Sequence, residues 1–204
     1  MCGGIFSITI SSLIRPFLAC FFTGTAVKIM DDYLDASTDR MVGRRTWAAE
    51  LEEAALPYAL VALSLAVIAE PVWSVTLFWA SYAVGMRGDL ARCLPLGLKG
   101  WQEALLIGII AGLAYGWKTT VSSLLAIFSV QAIDDLIDQE QDKMAGAGNW
   151  VLRWGTVETS LAAIIAVLIL SCLDIIKLLL VLTNGLLVVI IHRYGARRED
   201  GACG

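Results

Sequence analysis

Two clusters of aspartates occupy equivalent positions in a very apolar chain, 103 residues apart. The first cluster holds Asp31, Asp32, Asp35 and Asp39, and the second holds Asp134, Asp135, Asp138 and Asp142. Each cluster ends a long hydrophobic segment, and one Asp at the centre of a membrane span would cost about 2.5–3.5 kcal/mol. Oxygen ligands in this number suit a hard cation such as Mg²⁺. The pattern therefore predicts a cation site.

The spacing within each cluster indicates which carboxylates share a helical face. At about 100° per residue, three aspartates of each cluster fall within roughly 60° of one face: Asp32, Asp35 and Asp39, and likewise Asp135, Asp138 and Asp142. These six are the predicted metal ligands. Asp31 and Asp134 lie about 100° away, so we expect their replacement to have a milder effect. Six converging carboxylates would destabilise the fold unless cations lie between them. We therefore expect the two clusters to face each other across one cavity that holds cations, with the Asp35 and Asp138 carboxylates within about 12 Å of each other.

The composition indicates an integral membrane protein. Hydrophobic residues make up 58% of the 204 residues and charged residues 17%, and the mean hydropathy is +0.73. We predict an all-α, polytopic transmembrane bundle with seven spans, at about residues 10–31, 51–69, 72–87, 101–117, 119–138, 157–173 and 175–192. The chain is expected to form one domain over residues 1–204, whose halves, about 10–100 and 101–192, are parallel repeats.

The distribution of basic residues predicts an orientation in the cell membrane. Eleven of the 15 lysines and arginines fall in alternate connections or in the C-terminal tail. The positive-inside rule places those connections, about residues 36–50, 88–100 and 139–156, in the cytoplasm. The N-terminus is then outside, the C-terminus is inside, and both aspartate clusters face the cytoplasm.

Other patterns that carry chemistry are missing from the sequence. It shows no glycine-rich phosphate loop and no basic stripe, so no nucleic-acid partner is expected. The five cysteines have no paired or metal-binding spacing and are predicted to be free thiols.

The residues around both clusters resemble the aspartate motifs of the UbiA-type intramembrane prenyltransferases. The matching stretches are Asp32-x-x-Asp35-x-x-x-Asp39-Arg40 with Gly43-Arg44-Arg45-Thr46, and Asp135-x-x-Asp138-Gln139-Glu140-Gln141-Asp142-Lys143-Met144-Ala145-Gly146. Tyr82 with Arg87 is similar to the element that closes an intermediate helix in this family, and Lys99-Gly100-Trp101 is similar to the opening of the next helix. The resemblance extends from about residue 20 to residue 173.

This resemblance implies a Mg²⁺-dependent enzyme in the bilayer that ionises an isoprenyl diphosphate and transfers the prenyl group to a lipophilic acceptor of unknown identity. Four aspartates would be catalytic: Asp32, Asp35, Asp135 and Asp138. Asp32, Asp35 and Asp39 would hold one Mg²⁺ ion, and Asp135, Asp138 and Asp142 would hold another. Five basic residues are candidates to contact the diphosphate: Lys28, Arg40, Arg87, Lys99 and Lys143. Lys28 is alternatively the ion-pair partner of Asp32, one helical turn away. Tyr82 would bind the substrate by flanking the carbocation, or it would alternatively have a packing role.

Several alternatives stay open. The soluble isoprenyl diphosphate synthases also carry two Asp-Asp-x-x-Asp motifs, and the stretch Gln131–Asp135 is similar to the second of them. A membrane terpene cyclase would ionise the same diphosphate and capture the cation within its own chain. A third alternative is a non-catalytic protein that binds a divalent cation or a lipid diphosphate. Two features favour it: Met86 stands where the family has a lysine, and the chain has room for about seven helices where the family usually has nine. The prenyl chain length and the oligomeric state, a homo-oligomer included, are also open.

Overall fold

The computed structural model of the chain describes residues 10–36, 39–40, 46–85, 97–145 and 148–200, and within these ranges it contains helices and no β-strand. The helices are α1 (Ile10–Leu34), α2 (Trp47–Leu51), α3 (Ala55–Ala69), α4 (Pro71–Val84), α5 (Gly100–Tyr115), α6 (Trp117–Ile137), α7 (Gln139–Ala145), α8 (Trp150–Trp154) and α9 (Thr156–Asp200). A 3₁₀ turn, Glu52–Ala54, joins α2 to α3. The predicted all-α fold class is confirmed.

The last helix, α9, is broken at Asp174, where the backbone is extended (φ −160°, ψ 83°). The Asp174 carboxylate accepts a hydrogen bond from the Lys177 backbone N–H at 3.0 Å, so it caps the helix that follows. Residues 156–173 and 175–200 are the first and second limbs of α9. Glu70 has a similar conformation (φ −154°, ψ 97°) between α3 and α4, and Pro71 opens α4. Polar or proline residues therefore mark the tight connections between these apolar helices.

Four helical stretches are long and apolar enough to cross a membrane: Ser12–Leu34, Trp47–Ala69, Trp117–Ile137 and Thr156–Ile191. The apolar helix α5 has 16 residues and α4 has 14, fewer than the ~20 that usually span a bilayer. The described residues thus include helices that are long and apolar enough to span a membrane, as the composition predicts. The count of seven spans stays a prediction.

The side chains are distributed as in a bundle surrounded by lipid. Large aliphatic side chains are exposed along the helices, for example Leu60 and Ile68 on α3 and Leu113 on α5. Many buried positions carry alanine, serine or threonine instead. Small residues at helix contacts let the backbones approach closely, and in lipid a large apolar side chain on the outside carries no penalty. This pattern is typical of helices that contact lipid.

Two helix pairs hold the aspartate-bearing helices in place. Ile29 of α1 belongs to a buried cluster with Ala55 and Ala59 of α3. Ala126 of α6 belongs to a second buried cluster with Leu170, in the first limb of α9. Each helix that carries an aspartate cluster therefore packs against a helix that follows it in the chain.

A buried lysine joins three helices at the end of the bundle opposite the aspartates. Lys177, at the start of the second limb, is fully buried. Its Nζ donates to Ser122 Oγ at 2.9 Å, to Ser123 Oγ at 3.1 Å and to the Thr119 carbonyl at 3.3 Å, all on α6. It also lies 4.8 Å from the centroid of the Trp73 ring on α4. These contacts fix the second limb against α4 and α6.

Candidate functional site

A cavity of about 180 Å³ lies among α1, α4, α6 and the second limb of α9. One face of α1 contributes Cys20, Thr23, Gly24, Val27, Lys28 and Asp31. The other helices contribute Leu77, Ser81, Ile127, Val130, Asp134, Val181, Asn184, Gly185, Val188 and Val189. The charged side chains lie near the C-terminal ends of α1 and α6, and most of the remaining wall is apolar. The cavity is therefore amphipathic.

Three charged residues line one end of the cavity, termed the mouth: Lys28, Asp31 and Asp134. The two aspartates occupy matched positions in the two clusters, and they are close enough to interact electrostatically. Lys28 interacts with both of them, and its Nζ forms an ion pair with Asp32 Oδ1 at 2.8 Å. The structure thus brings the two clusters to one cavity through Asp31 and Asp134. These are the two positions that the helical spacing had placed away from the predicted ligand face, and for which the sequence predicted the milder effect.

Asp32 and Asp135 are buried and hydrogen-bonded to the backbone of the following segments. Asp32 accepts a hydrogen bond from the Trp47 N–H at 3.2 Å, and Asp135 accepts one from the Trp150 N–H at 2.7 Å. Trp47 and Trp150 open α2 and α8, where backbone N–H groups are unpaired and negative charge is favoured. The Gln131 side chain donates to the other Asp135 oxygen at 2.9 Å. These carboxylates hold the short helices against α1 and α6.

The two segments after the clusters share further features at the same offset. Thr46 and Asn149 cap the N-termini of α2 and α8 with their side chains. Glu52 and Gly155, which follow those helices, both have positive φ, at 49° and 105°. Asn149 also donates to Asp142 Oδ2 at 2.8 Å, which ties the end of the second cluster to α8. The matched positions therefore have similar local geometry as well as similar residue types.

The other predicted ligands follow α1 and α6 in the chain: Asp35 and Asp138 come directly after those helices, Asp39 lies four residues beyond Asp35, and Asp142 lies on α7. The Asp35 N–H donates to the Asp31 carbonyl at 3.0 Å, and the Asp39 N–H donates to the Asp35 carbonyl at 2.9 Å. The same bonds, both 2.9 Å, link the matched residues Asp134, Asp138 and Asp142. Residues four apart in a helix share a face, so Asp35 follows Asp31 on the same side. The separation of about 12 Å expected for Asp35 and Asp138 stays a prediction.

The basic residues predicted to contact the diphosphate differ in their position relative to the cavity. Lys28 lies at the mouth. Arg40, Lys99 and Lys143 are exposed side chains outside the cavity wall. Arg87 lies outside the described residues. Among the described basic residues that were predicted, Lys28 is therefore the one placed to meet a ligand in the cavity.

Tyr82 lies away from the cavity wall, whereas Thr23 and Asn184, which no predicted site had included, lie on it. The Tyr82 hydroxyl donates to Glu103 Oε2 at 2.9 Å, between α4 and α5, and its ring is not on the cavity wall. Thr23 and Asn184 are on that wall. The signal for Thr23 was its spacing of four residues from Val27, which precedes Asp31 by another four on one helical face.

The mouth of the cavity offers two carboxylates as candidate metal ligands. In the described ranges, no three His, Cys, Asp or Glu side chains are arranged to hold a metal ion by themselves. Mg²⁺ usually takes one or two carboxylates from the protein and completes its shell with water and phosphate oxygens. Asp31 and Asp134, at the mouth, would supply at most two such carboxylates.

Comparison with known proteins adds no relative: no family model, no curated protein and no solved structure matches the chain. The function is therefore inferred from the cavity and the two aspartate clusters.

Proposed function

We propose that the protein is a Mg²⁺-dependent intramembrane prenyltransferase, which ionises an isoprenyl diphosphate and transfers the prenyl group to a lipophilic acceptor. The observation that carries this proposal is the amphipathic cavity, with Lys28, Asp31 and Asp134 at its mouth and mainly aliphatic walls. An isoprenyl diphosphate is amphipathic in the same way as the cavity, because it joins a polyanionic head to an apolar tail. Concave sites with apolar walls and a few convergent polar groups are typical of small-molecule sites.

The mouth would hold the diphosphate head. Mg²⁺ held by Asp31 and Asp134, with Asp35 and Asp138 one turn further along, would neutralise the charge that develops on the leaving diphosphate. Lys28 would donate a hydrogen bond from its ammonium group to a diphosphate oxygen. Its ion pair with Asp32 keeps Nζ beside the mouth before the substrate binds.

The apolar walls would hold the prenyl group that leaves the diphosphate. Val27, Leu77, Val130 and Val188 surround this space from four helices. These four side chains offer no nucleophile and exclude water, which would prolong the lifetime of an allylic cation. The same walls also carry the thiol of Cys20 and the hydroxyls of Thr23 and Ser81. The acceptor, being lipophilic, would enter from the bilayer.

The proposal includes a topology. We propose seven spans in the cell membrane, with the N-terminus outside, the C-terminus inside and the mouth facing the cytoplasm. Lys177 joins the connection at Asp174 to the start of α6, at the end away from the aspartates. Arg40 and Lys143 follow the aspartate clusters at the other end, which supports the cytoplasmic placement of that end. The matched hydrogen bonds of the two clusters support an internal parallel repeat.

A transfer assay tests the proposal. Purified protein in detergent would receive Mg²⁺, radiolabelled prenyl diphosphates of several lengths and a membrane lipid extract, and it should form a labelled lipophilic product. The double variant Asp31→Asn/Asp134→Asn should lose about 100-fold or more of this activity, the size of effect seen when one charge-stabilising group is removed from an active site. Glu50→Gln, which neutralises an exposed carboxylate on α2, is the matched control and should keep full activity.

The products separate the alternatives. Diphosphate release without the lipid extract, together with a cyclic product, would indicate a terpene cyclase. A folded protein that turns over none of the prenyl diphosphates would refute the enzymatic proposal.

A further inference from the structure

The two aspartate clusters differ at one matched position, which carries a lysine beside the first cluster and a glutamine beside the second. Lys28 and Gln131 are 103 residues apart, the same offset as the aspartates. Each binds a buried aspartate four residues further along: Lys28 Nζ lies 2.8 Å from Asp32 Oδ1, and the Gln131 side chain donates to Asp135 Oδ1 at 2.9 Å. The geometry is therefore repeated, whereas the positive charge is not.

This difference changes the charge at the mouth of the cavity. The Lys28 ammonium interacts with Asp31 and Asp134 as well as with Asp32. Among the residues that the structure describes, the strongest electrostatic neighbour of Asp31 is Lys28, whereas that of Asp134 is the like charge of Asp138. A side chain of the protein therefore offsets part of the charge of the first cluster, and the second cluster attracts a cation more strongly.

The cavity behind the mouth carries independent evidence that a ligand binds there. Thr23 Oγ1 and Asn184 Oδ1 are buried on its wall, and within the described ranges of the chain they have no hydrogen-bond partner. Native proteins rarely keep a buried polar atom without a partner unless water or a ligand binds it. Lys28 thus lies at the entrance to a space that accepts a ligand, and not in a solvated helix end.

We propose that Lys28 takes the place of one divalent cation at the mouth, so that before a substrate binds the protein holds a single ion, at the second cluster. An ammonium group in contact with a carboxylate offsets its charge and repels a further cation nearby. This proposal rests on the proposed function, because it assumes that the clusters bind divalent cations. It differs from the expectation that each cluster holds an ion of its own.

Counting bound Mn²⁺ tests the proposal without any turnover. Mn²⁺ prefers the same carboxylate and water ligands as Mg²⁺, and the EPR signal of the free ion is lost when it binds. The full-length chain in detergent, without diphosphate, should bind about one Mn²⁺ tightly, and Lys28→Gln should bind about two. This substitution copies the arrangement of Gln131 and Asp135 at the matched position, so the variant should fold.

Further variants test which cluster holds the ion. Asp134→Asn should weaken Mn²⁺ binding by about tenfold or more, and Asp31→Asn by about threefold or less. Gln131→Lys adds the missing charge beside the second cluster, so it should also weaken binding by about tenfold or more. Lys28→Arg keeps the charge and should still bind a single ion. Lys118→Gln removes an exposed lysine at the other end of α6, and as the control it should behave like the wild type.

The outcomes separate the role of Lys28 from the transferase activity. A wild-type chain that binds two ions or none without diphosphate would overturn the proposal, as would a folded Lys28→Gln variant that still binds one. If circular dichroism shows that Lys28→Gln does not fold, an unchanged Mn²⁺ affinity in Gln131→Lys would overturn it instead. If the counts are as expected but no prenyl diphosphate is turned over, the difference between the clusters stands and the proposed function fails.

Discussion

Replacing Asp135 with alanine should destabilise the fold, whereas the same change at its neighbour Asp134 should not. Asp135 is 5% exposed and accepts hydrogen bonds from the Trp150 N–H and from the Gln131 side chain, at 2.7 and 2.9 Å. Asp134 lines the cavity mouth and interacts with the like charge of Asp138. One carboxylate is therefore part of the packing, and the other is available to a ligand.

The size of the effect follows from the two hydrogen bonds of Asp135. A hydrogen bond to a charged group contributes about 1.5–3 kcal/mol in soluble proteins, and interhelical bonds in membrane proteins average about 0.6 kcal/mol. Losing both bonds should lower the free energy of unfolding by about 2–4 kcal/mol, since the Trp150 N–H is left unpaired. Asp135→Asn should lose less, because the amide oxygen still accepts that bond. Asp134→Ala should stay within about 1 kcal/mol of the wild type.

Reversible unfolding in mixed SDS–detergent micelles, followed by far-UV circular dichroism, would measure these differences. The matched pair in the first cluster, Asp31→Ala and Asp32→Ala, should follow the same order, because Asp32 accepts the Trp47 N–H and pairs with Lys28. Equal destabilisation at neighbouring positions would refute the division into packed and cavity-facing carboxylates.

Three further predictions concern other parts of the bundle. Lys177→Met should lower the free energy of unfolding by about 2–4 kcal/mol in the same assay, because three oxygens on α6 each lose the hydrogen bond that the charged ammonium donates. Gly108→Leu should lower the melting temperature, since a Cβ at this position of α5 would lie 2.7 Å from the Trp79 ring on α4; an unchanged value would contradict this packing. A cysteine at Ala147, in a chain without other cysteines, should react with an impermeant maleimide only after the membrane is opened, and labelling of intact cells would contradict the proposed orientation.

The positions of the apolar helices were predictable from the sequence. The predicted segment at 101–117 became α5, Gly100–Tyr115, and the segment at 119–138 became α6, Trp117–Ile137. The break between the last two predicted segments coincides with Asp174. Long apolar runs interrupted by glycine, proline or acidic residues define such helices locally, so no tertiary information was needed.

The rotation of each helix about its own axis, which decides which side chains face the cavity, could not be predicted from the sequence. Asp31 and Asp32 differ by about 100° around α1, and spacing within a cluster cannot show which of them meets the cavity. Which of the two residues faces the cavity depends on the packing of α1 against α3. It also depends on α2, because the N–H of Trp47 at the start of α2 donates a hydrogen bond to Asp32. A usable signal was present, because Trp47 and Trp150 are themselves 103 residues apart and follow Thr46 and Asn149, two good N-cap residues.

The most direct test of the proposed chemistry is the release of inorganic diphosphate from prenyl diphosphates by the purified protein. Release should require Mg²⁺ and stop when EDTA is added. It should fall about 100-fold or more in Asp31→Asn/Asp134→Asn and continue in Glu50→Gln. Release that persists in EDTA, or in a folded double variant at the wild-type rate, would contradict Mg²⁺-dependent ionisation at this cavity.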